Sequence, residues 1–251
     1  MKWELAWNDP FTRYLEPFDT LVGDRRTWVT LTETVRGIIC SGSLVCQRIA
    51  AHAPVLASVK KGAQRVIRMV THVTTKRSPN LDPAHLTAQL RQHAVAQLQA
   101  ASPDELWLLA DGSDLRKPYA KALPDLMKVR ALDKRLVPGY RTLTVLGLTP
   151  HWRGVLYHRL FSSKEDGFIS EPHEVQTALQ TVSHALDDLG PLLAVSWVLD
   201  SGFDDVAVWR TIWEQDEHLV CRLCHEERRI EYRDAQGTWH EGTIADARRA
   251  S

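Results

Sequence analysis

Two apolar runs in this chain end in aspartate. Leu106-Trp107-Leu108-Leu109-Ala110 leads into Asp111, and Leu192-Leu193-Ala194-Val195-Ser196-Trp197-Val198-Leu199 leads into Asp200. If both runs are strands lying side by side and parallel, joined by a helical crossover, their carboxylates converge at one edge of a sheet. Ligand sites in open α/β sheets sit at such strand ends. Two carboxylates forced together repel unless a cation lies between them. Mg²⁺ suits a sparse carboxylate cage that leaves room for water and phosphate oxygens. Two such ions can activate a nucleophile and stabilise the leaving oxygen of a phosphodiester. Arg116, Lys117 and Lys121 follow Asp111 and could hold a polyanionic backbone. Strand-end aspartates also commonly cap the next helix, so the pattern alone leaves both readings open. Asp114 is a weaker alternative to Asp111, because it falls beyond the apolar run.

The elements that would carry these acids can be read from periodicity. Glu105–Asp111 is short and nearly all apolar, as expected of a strand buried on both faces. "RTLTVLGLT" and "WRGVLYHRLFS" read as a strand pair turning at Thr149-Pro150-His151. A helix follows, with Ser170 as cap, Pro172 in the first turn, and Glu171 and Glu174 at its positive end. Its apolar stripe is Val175, Leu179, Val182, Leu186 and Leu189, and Gly190-Pro191 stops it. Then come the strand ending at Asp200, a helix over 204–213, and the strand "HLVCRLC". Strand, hairpin, helix, strand, helix, strand makes an α/β domain with a mixed sheet.

Residues 20–100 read instead as helices separated by short breaks, among them Ser41-Gly42-Ser43. Val35, Ile38, Ile39, Leu44, Val45 and Ile49 fall at mostly helical spacings. Formal net charge is zero, which excludes a global attraction to nucleic acid. The charge is uneven, however. Between positions 60 and 96, Lys60, Lys61, Arg65, Arg68, Lys76, Arg77 and Arg91 face only Asp82, enough for a positive face that binds phosphates. A helical bundle whose cations merely solvate its surface is the alternative.

The N-terminal stretch shows no apolar export signal, no apolar run is long enough to span a bilayer, and four cysteines in such a chain are expected to be reduced thiols. A cytoplasmic setting is therefore expected, with no membrane partner. Cys221-x-x-Cys224, flanked by His218 and His225, has no Gly or Pro between the cysteines to make a zinc knuckle. Residues three apart on a strand also face opposite ways, so buried thiols are expected. Trp197, Trp209 and Trp213 sit at apolar positions and are expected in the core.

"LLADGSDLRKPYAKAL", "VPGYRTLTVLGL", "LFSSKEDGFISEPHEV", "WVLDSGFDD" and "HLVCRLCHEERRIEY" occur in an order and spacing that resembles the IS4-like group of bacterial DDE transposases. The resemblance runs from about Trp107 to Tyr232 and more loosely over the helical part before it. It implies an incomplete RNase H-like core (101–232), preceded by a small helical DNA-binding domain (1–100) and followed by the start of an insertion (233–251). It implies that Asp111 and Asp200, 89 residues apart, are the first two catalytic acids, holding Mg²⁺ or Mn²⁺. Arg222, Arg228 and Arg229 would line a DNA groove. The partners implied are double-stranded DNA, as terminal inverted repeats and target, and a second copy or an intact transposase, in association with the bacterial nucleoid.

One departure is serious. The family carries a third acid, a glutamate on a helix beyond the fifth strand. Glu226, Glu227, Glu231 and Glu241 lie on no convincing helix, and Glu214 and Glu217 precede the fifth strand. The chain is expected to correspond to the front part of a transposase and to transfer strands poorly alone. Two other readings stay open: a non-catalytic DNA-binding fragment that occupies transposon ends or inhibits an intact enzyme, and an RNase H-like nuclease unrelated to transposition.

Overall fold

The structure, a computed structural model, describes residues 10–53, 58–70, 81–120, 123–190 and 193–250. It divides into two compact units, residues 1–93 and 94–251, with the division inside one helix. No helix among the described residues is long and apolar enough to cross a membrane.

The first unit is helical: α1 (Pro10–Leu15), α2 (Arg25–Ser41), α3 (Cys46–Ala51), α4 (Val59–Val70) and the first part of α5 (Pro83–Ala101). Asp24 starts α2 by accepting the backbone N–H groups of Arg26 (2.8 Å) and Thr27 (3.1 Å), satisfying donors the first turn leaves free. Gly42 ends it in the left-handed region (φ 56°), at the expected Ser-Gly-Ser break. Gly37 lets α2 and α3 touch, since a Cβ there would lie 2.5 Å from the Ile49 carbonyl oxygen. Ile49, Ala53 and Val66 form the small core. The anticipated apolar stripe is only partly used: Ile39, Leu44 and Val45 are exposed, and α2 buries Thr30, Leu31, Glu33 and Thr34 instead.

The second unit is a mixed α/β domain. Its elements in chain order are β1 (Glu105–Arg116), β2 (Met127–Arg130), β3 (Leu136–Leu148), β4 (Arg153–Phe161), α6 (Glu171–Leu186), β5 (Ala194–Leu199), α7 (Val206–Trp213) and β6 (His218–Cys221). A two-stranded sheet of β7 (Arg229–Arg233) and β8 (Trp239–Thr243) follows, then α8 (Ile244–Ala250). In the main sheet β4 pairs β3, β3 pairs β1, and all of these are antiparallel; β5 then adds parallel to β1, and β6 parallel to β5. Three antiparallel strands continued by two parallel ones, with a helix in each crossover, is the RNase H-like sheet. β2 is a short addition to β3, beside β4, that periodicity does not reveal.

α6 forms as its sequence suggests. Ser170 caps it by accepting the His173 N–H, and Val175, Leu179, Val182 and Leu186 are buried. They pack on Leu106, Leu108, Val145, Trp197 and Leu199, each fully buried aliphatic side chain contributing about 1.5–3 kcal/mol. Glu171 and Glu174 also tie the helix to the sheet, by ion pairs to Arg141 and to Arg159 (3.1 Å).

β1 is not buried on both faces. Leu106, Leu108 and Ala110 turn to the core, while Trp107 on the other face is 43% exposed. Nor does β1 stop at Asp111; it continues to Arg116 on its ladder with β3. A groove of about 370 Å³ marks the open face, lined by Trp107, Leu109, Leu148 and Val198 among others. Trp197 and Trp209 are in the core as expected, whereas Trp213 is exposed.

Candidate active site and nucleic-acid interface

The pairing of β1 with β5 positions the two aspartates. The last parallel partners are Ala110 and Leu199, so Asp111 and Asp200 each stand one residue beyond the same rung. Strand spacing of roughly 4.8 Å sets the distance across this pair. Ala110 and Leu199 point into the core, so by alternation the two aspartates leave by the open face; both are exposed. Asp200 retains extended backbone (φ −80°, ψ −180°) and caps the following turn, with Oδ1 accepting the Gly202 N–H at 2.8 Å. The turn also returns to β1: a Cβ on Gly112 would lie 3.8 Å from the Phe203 ring.

Asp111 accepts a hydrogen bond from the Ser113 hydroxyl through Oδ2 (3.3 Å). Oδ1 of Asp111 and Oδ2 of Asp200 accept no hydrogen bond among the described residues. Two exposed carboxylates, each with an oxygen to spare, form an all-oxygen donor set that fits a hard divalent cation. Asp114, the alternative, has alternated to the opposite face. Its oxygens take the Arg130 backbone N–H (3.1 Å) and the Arg141 guanidinium (3.3 Å), which makes it a brace between strands.

The row of side chains through Asp111 continues across the sheet. Thr144 on β3 is its partner, and His158 on β4 is the partner of Thr144, the last two joined at 2.9 Å. Neither was singled out from sequence. Only the strand register shows that they share a line with an acid.

The expected basic residues divide. Lys60, Lys61, Arg65 and Arg68 are all exposed on α4 and pair with no acid among the described residues. At 100° per residue they span an arc of about 140°, opposite the face that buries Ala63 and Val66. Arg116 and Lys117 are exposed at the far end of β1, with Arg116 donating to the Arg130 carbonyl (3.1 Å). Arg222 is exposed, and its N–H donates to the Leu199 carbonyl (3.2 Å), which sets it beside the Asp200 turn. Arg229 is exposed on β7. Lys76, Arg77 and Lys121 lie outside the described residues.

Arg228 departs from expectation. Its Nη1 meets Asp204 Oδ1 at 2.7 Å, its Nη2 donates to the Asp204 carbonyl (3.1 Å), and its guanidinium lies 4.4 Å from the Trp209 ring centroid. These contacts occupy it with a buried carboxylate, not with a groove. Asp204 also accepts the N–H groups of Cys224 (2.8 Å) and His225 (3.1 Å). Burial works to raise its pKa, but those donors and the arginine outweigh it and hold the carboxyl below its ordinary value. Cys224 has left the strand, so the alternation expected to separate the cysteines does not apply. The Cys221 and Cys224 thiols each donate, at 3.7 Å, to the consecutive carbonyls of Asp200 and Ser201.

Glu217 sits at the other end of β5 from Asp200. It accepts from the Trp197 indole (2.6 Å) and the Ser183 hydroxyl (2.9 Å) and so belongs to the core, not the site.

Among solved structures, the chain is similar to piggyBac transposase in a cryo-EM synaptic complex with hairpin DNA, at 10% identity over 92% of this chain and 51% of that one, with a TM-score of 0.39. It is also similar to Mos1 in two crystal structures. For the strand transfer complex the identity is 14%, over 76% of this chain and 57% of that one, with a TM-score of 0.29. For the mariner paired end complex with Mn the identity is 14%, over 76% and 58%, with a TM-score of 0.30. The chain thus spans between about half and three fifths of these neighbours' lengths. No family model and no curated protein matches it.

Proposed function

We propose that this chain belongs to a DDE-type DNA transposase of the IS4-like kind, acting in the bacterial cytoplasm on nucleoid DNA. The observation that carries this reading is the β1/β5 register, which sets Asp111 and Asp200 beyond one rung on the open face. In this reading Asp111 and Asp200 hold divalent cations, Mg²⁺ or Mn²⁺. The bound ions would supply a water nucleophile at neutral pH and stabilise the leaving oxygen of a phosphodiester. Arg222 stands where it can offset phosphate charge beside Asp200. The exposed cations of α4 bind the duplex, including the terminal repeats, by phosphate contact.

With two carboxylates the chain by itself carries out little or no strand transfer. Among the described residues, the one group of three or more potential ligand side chains close enough to share an ion is Asp204, Cys224 and His225, which includes neither aspartate of the pair. That favours a second reading, a DNA-binding protein that occupies transposon ends, alone or beside an intact transposase, and inhibits cleavage.

Calorimetric titration with Mn²⁺ tests the shared premise. Asp111→Asn and Asp200→Asn are each expected to weaken binding while leaving the folded chain intact, since both side chains are exposed. Unchanged binding in both variants removes the two-aspartate site. Nicking of a labelled duplex by the wild type would then distinguish catalysis from binding alone.

A further inference from the structure

We propose that Asp204, Cys224 and His225 form a second metal site, distinct in chemistry from the aspartate pair and selective for a borderline-soft divalent ion such as Zn²⁺. One ligand atom from each side chain lies within 4.8 Å of the other two, so an ion at their centre needs only small side-chain rotations to reach all three. The three are organised before any ion arrives. Asp204 is anchored in the core with 1% of its side chain exposed, and it accepts the backbone N–H groups of Cys224 and His225, its two co-ligands. A carboxylate has about four acceptor positions; the two N–H groups both bind Oδ2, while buried Oδ1 faces Arg228 as an ion pair but accepts no hydrogen bond, which leaves acceptor capacity for a cation. Glu227 lies 3.6 Å from His225 Nδ1, near enough for its carboxylate to orient the imidazole once an ion is held.

Sulfur, nitrogen and oxygen donors together match Zn²⁺ or Co²⁺ and discriminate against Mg²⁺, the reverse of the all-oxygen aspartate pair. Three protein ligands leave a fourth position for water. Binding replaces the Cys224 S–H bond by a metal–sulfur bond and releases one proton to solvent. Arg228 remains paired to Asp204 and offsets part of the site's negative charge. Because Asp204 ends the turn that begins at Asp200, an ion here would fasten the 224–225 segment to that turn.

Titration of the full chain with Co²⁺ under reducing conditions tests this directly, without any activity measurement. The expected result is a near-ultraviolet thiolate-to-cobalt band with visible ligand-field bands, saturating at one ion per chain and abolished by Zn²⁺. Cys224→Ser should lose the thiolate band, and His225→Asn should weaken affinity by about tenfold or more. Cys221→Ser and Asp111→Asn should leave the spectrum unchanged. Both ligands to be changed are exposed, so the variants remain folded. Absence of a thiolate band in the wild type, its persistence in Cys224→Ser, or its loss in Cys221→Ser would each overturn the proposal.

Discussion

Replacing Lys60, Lys61, Arg65 and Arg68 together by alanine tests the proposal that α4 supplies the electrostatic share of DNA binding. The four cations are exposed and unpaired among the described residues, and they occupy one face of about 140° over roughly 12 Å of helix axis, a length comparable with the width of a major groove. If each neutralises one phosphate, the slope of log affinity against log salt carries about −0.9 per contact, or about −3.6 for the set. Between 50 and 200 mM salt that corresponds to roughly a 150-fold loss of affinity in the wild type, and the quadruple variant should lose this component. Each single substitution should lower the slope by about 0.9. Alanine has the highest helix propensity, so the helix itself is retained, which far-UV circular dichroism checks. The assay is fluorescence anisotropy of a labelled duplex at a series of salt concentrations. A quadruple variant with the wild-type slope would refute the assignment of α4 as the phosphate-binding face.

The buried pair predicts the opposite pattern. Arg228→Met strands the Asp204 carboxylate and should cost on the order of 3–5 kcal/mol in urea unfolding without changing the salt slope; a changed slope with unaltered stability would return Arg228 to the DNA surface. Gly139→Ala should lower stability by roughly 1–3 kcal/mol, because its Cβ would lie 2.5 Å from the Leu115 carbonyl oxygen and from Val129; a wild-type unfolding midpoint would contradict the close approach. Glu217 gives a pH signature. Burial raises its carboxyl above the ordinary 4.5, against the hydrogen bonds from Trp197 and Ser183. The native state therefore binds more protons than the unfolded chain above pH 4.5, so this group's contribution to stability is full below that value and is lost as pH rises through the raised native value. Glu217→Gln should flatten the stability profile across that window, and an unchanged profile would show that the shift is absent.

Much of this architecture is legible in the residues. Ser170, Pro172 and the Val175–Leu186 stripe specify α6 because capping and burial are local and periodic. The coming together of Asp111 and Asp200 follows from two apolar runs with a helix between them, given the strong tendency of such units to pair in parallel. What periodicity misses depends on partners far along the chain. The polar residues Ser113–Arg116 form a strand only because β3 lies alongside to satisfy their backbone groups. Asp114 reads as a candidate ligand until Arg141 arrives from β3. Arg228 reads as a surface cation because its carboxylate partner stands 24 positions earlier, and nothing in the intervening residues signals the pairing. The apolar spacing around α2 misleads in a different way: Ile39 and Leu44 are exposed, while α2 buries Thr30, Glu33 and Thr34.

The two aspartates differ in mechanical compliance. Asp111 lies within a continuous ladder, clamped through its backbone by β3, and is as stiff as the sheet. Asp200 stands where its strand has ended, its carboxylate held by one N–H in a three-residue turn, and Gly202 leaves little clearance, since a Cβ there would lie 3.0 Å from Oδ1. If, as proposed, the pair holds ions, adaptation to a different ionic radius would fall on Asp200. On that proposal the identity of residue 202 would be a tuning point for ion preference, although residue 202 itself offers no ligand.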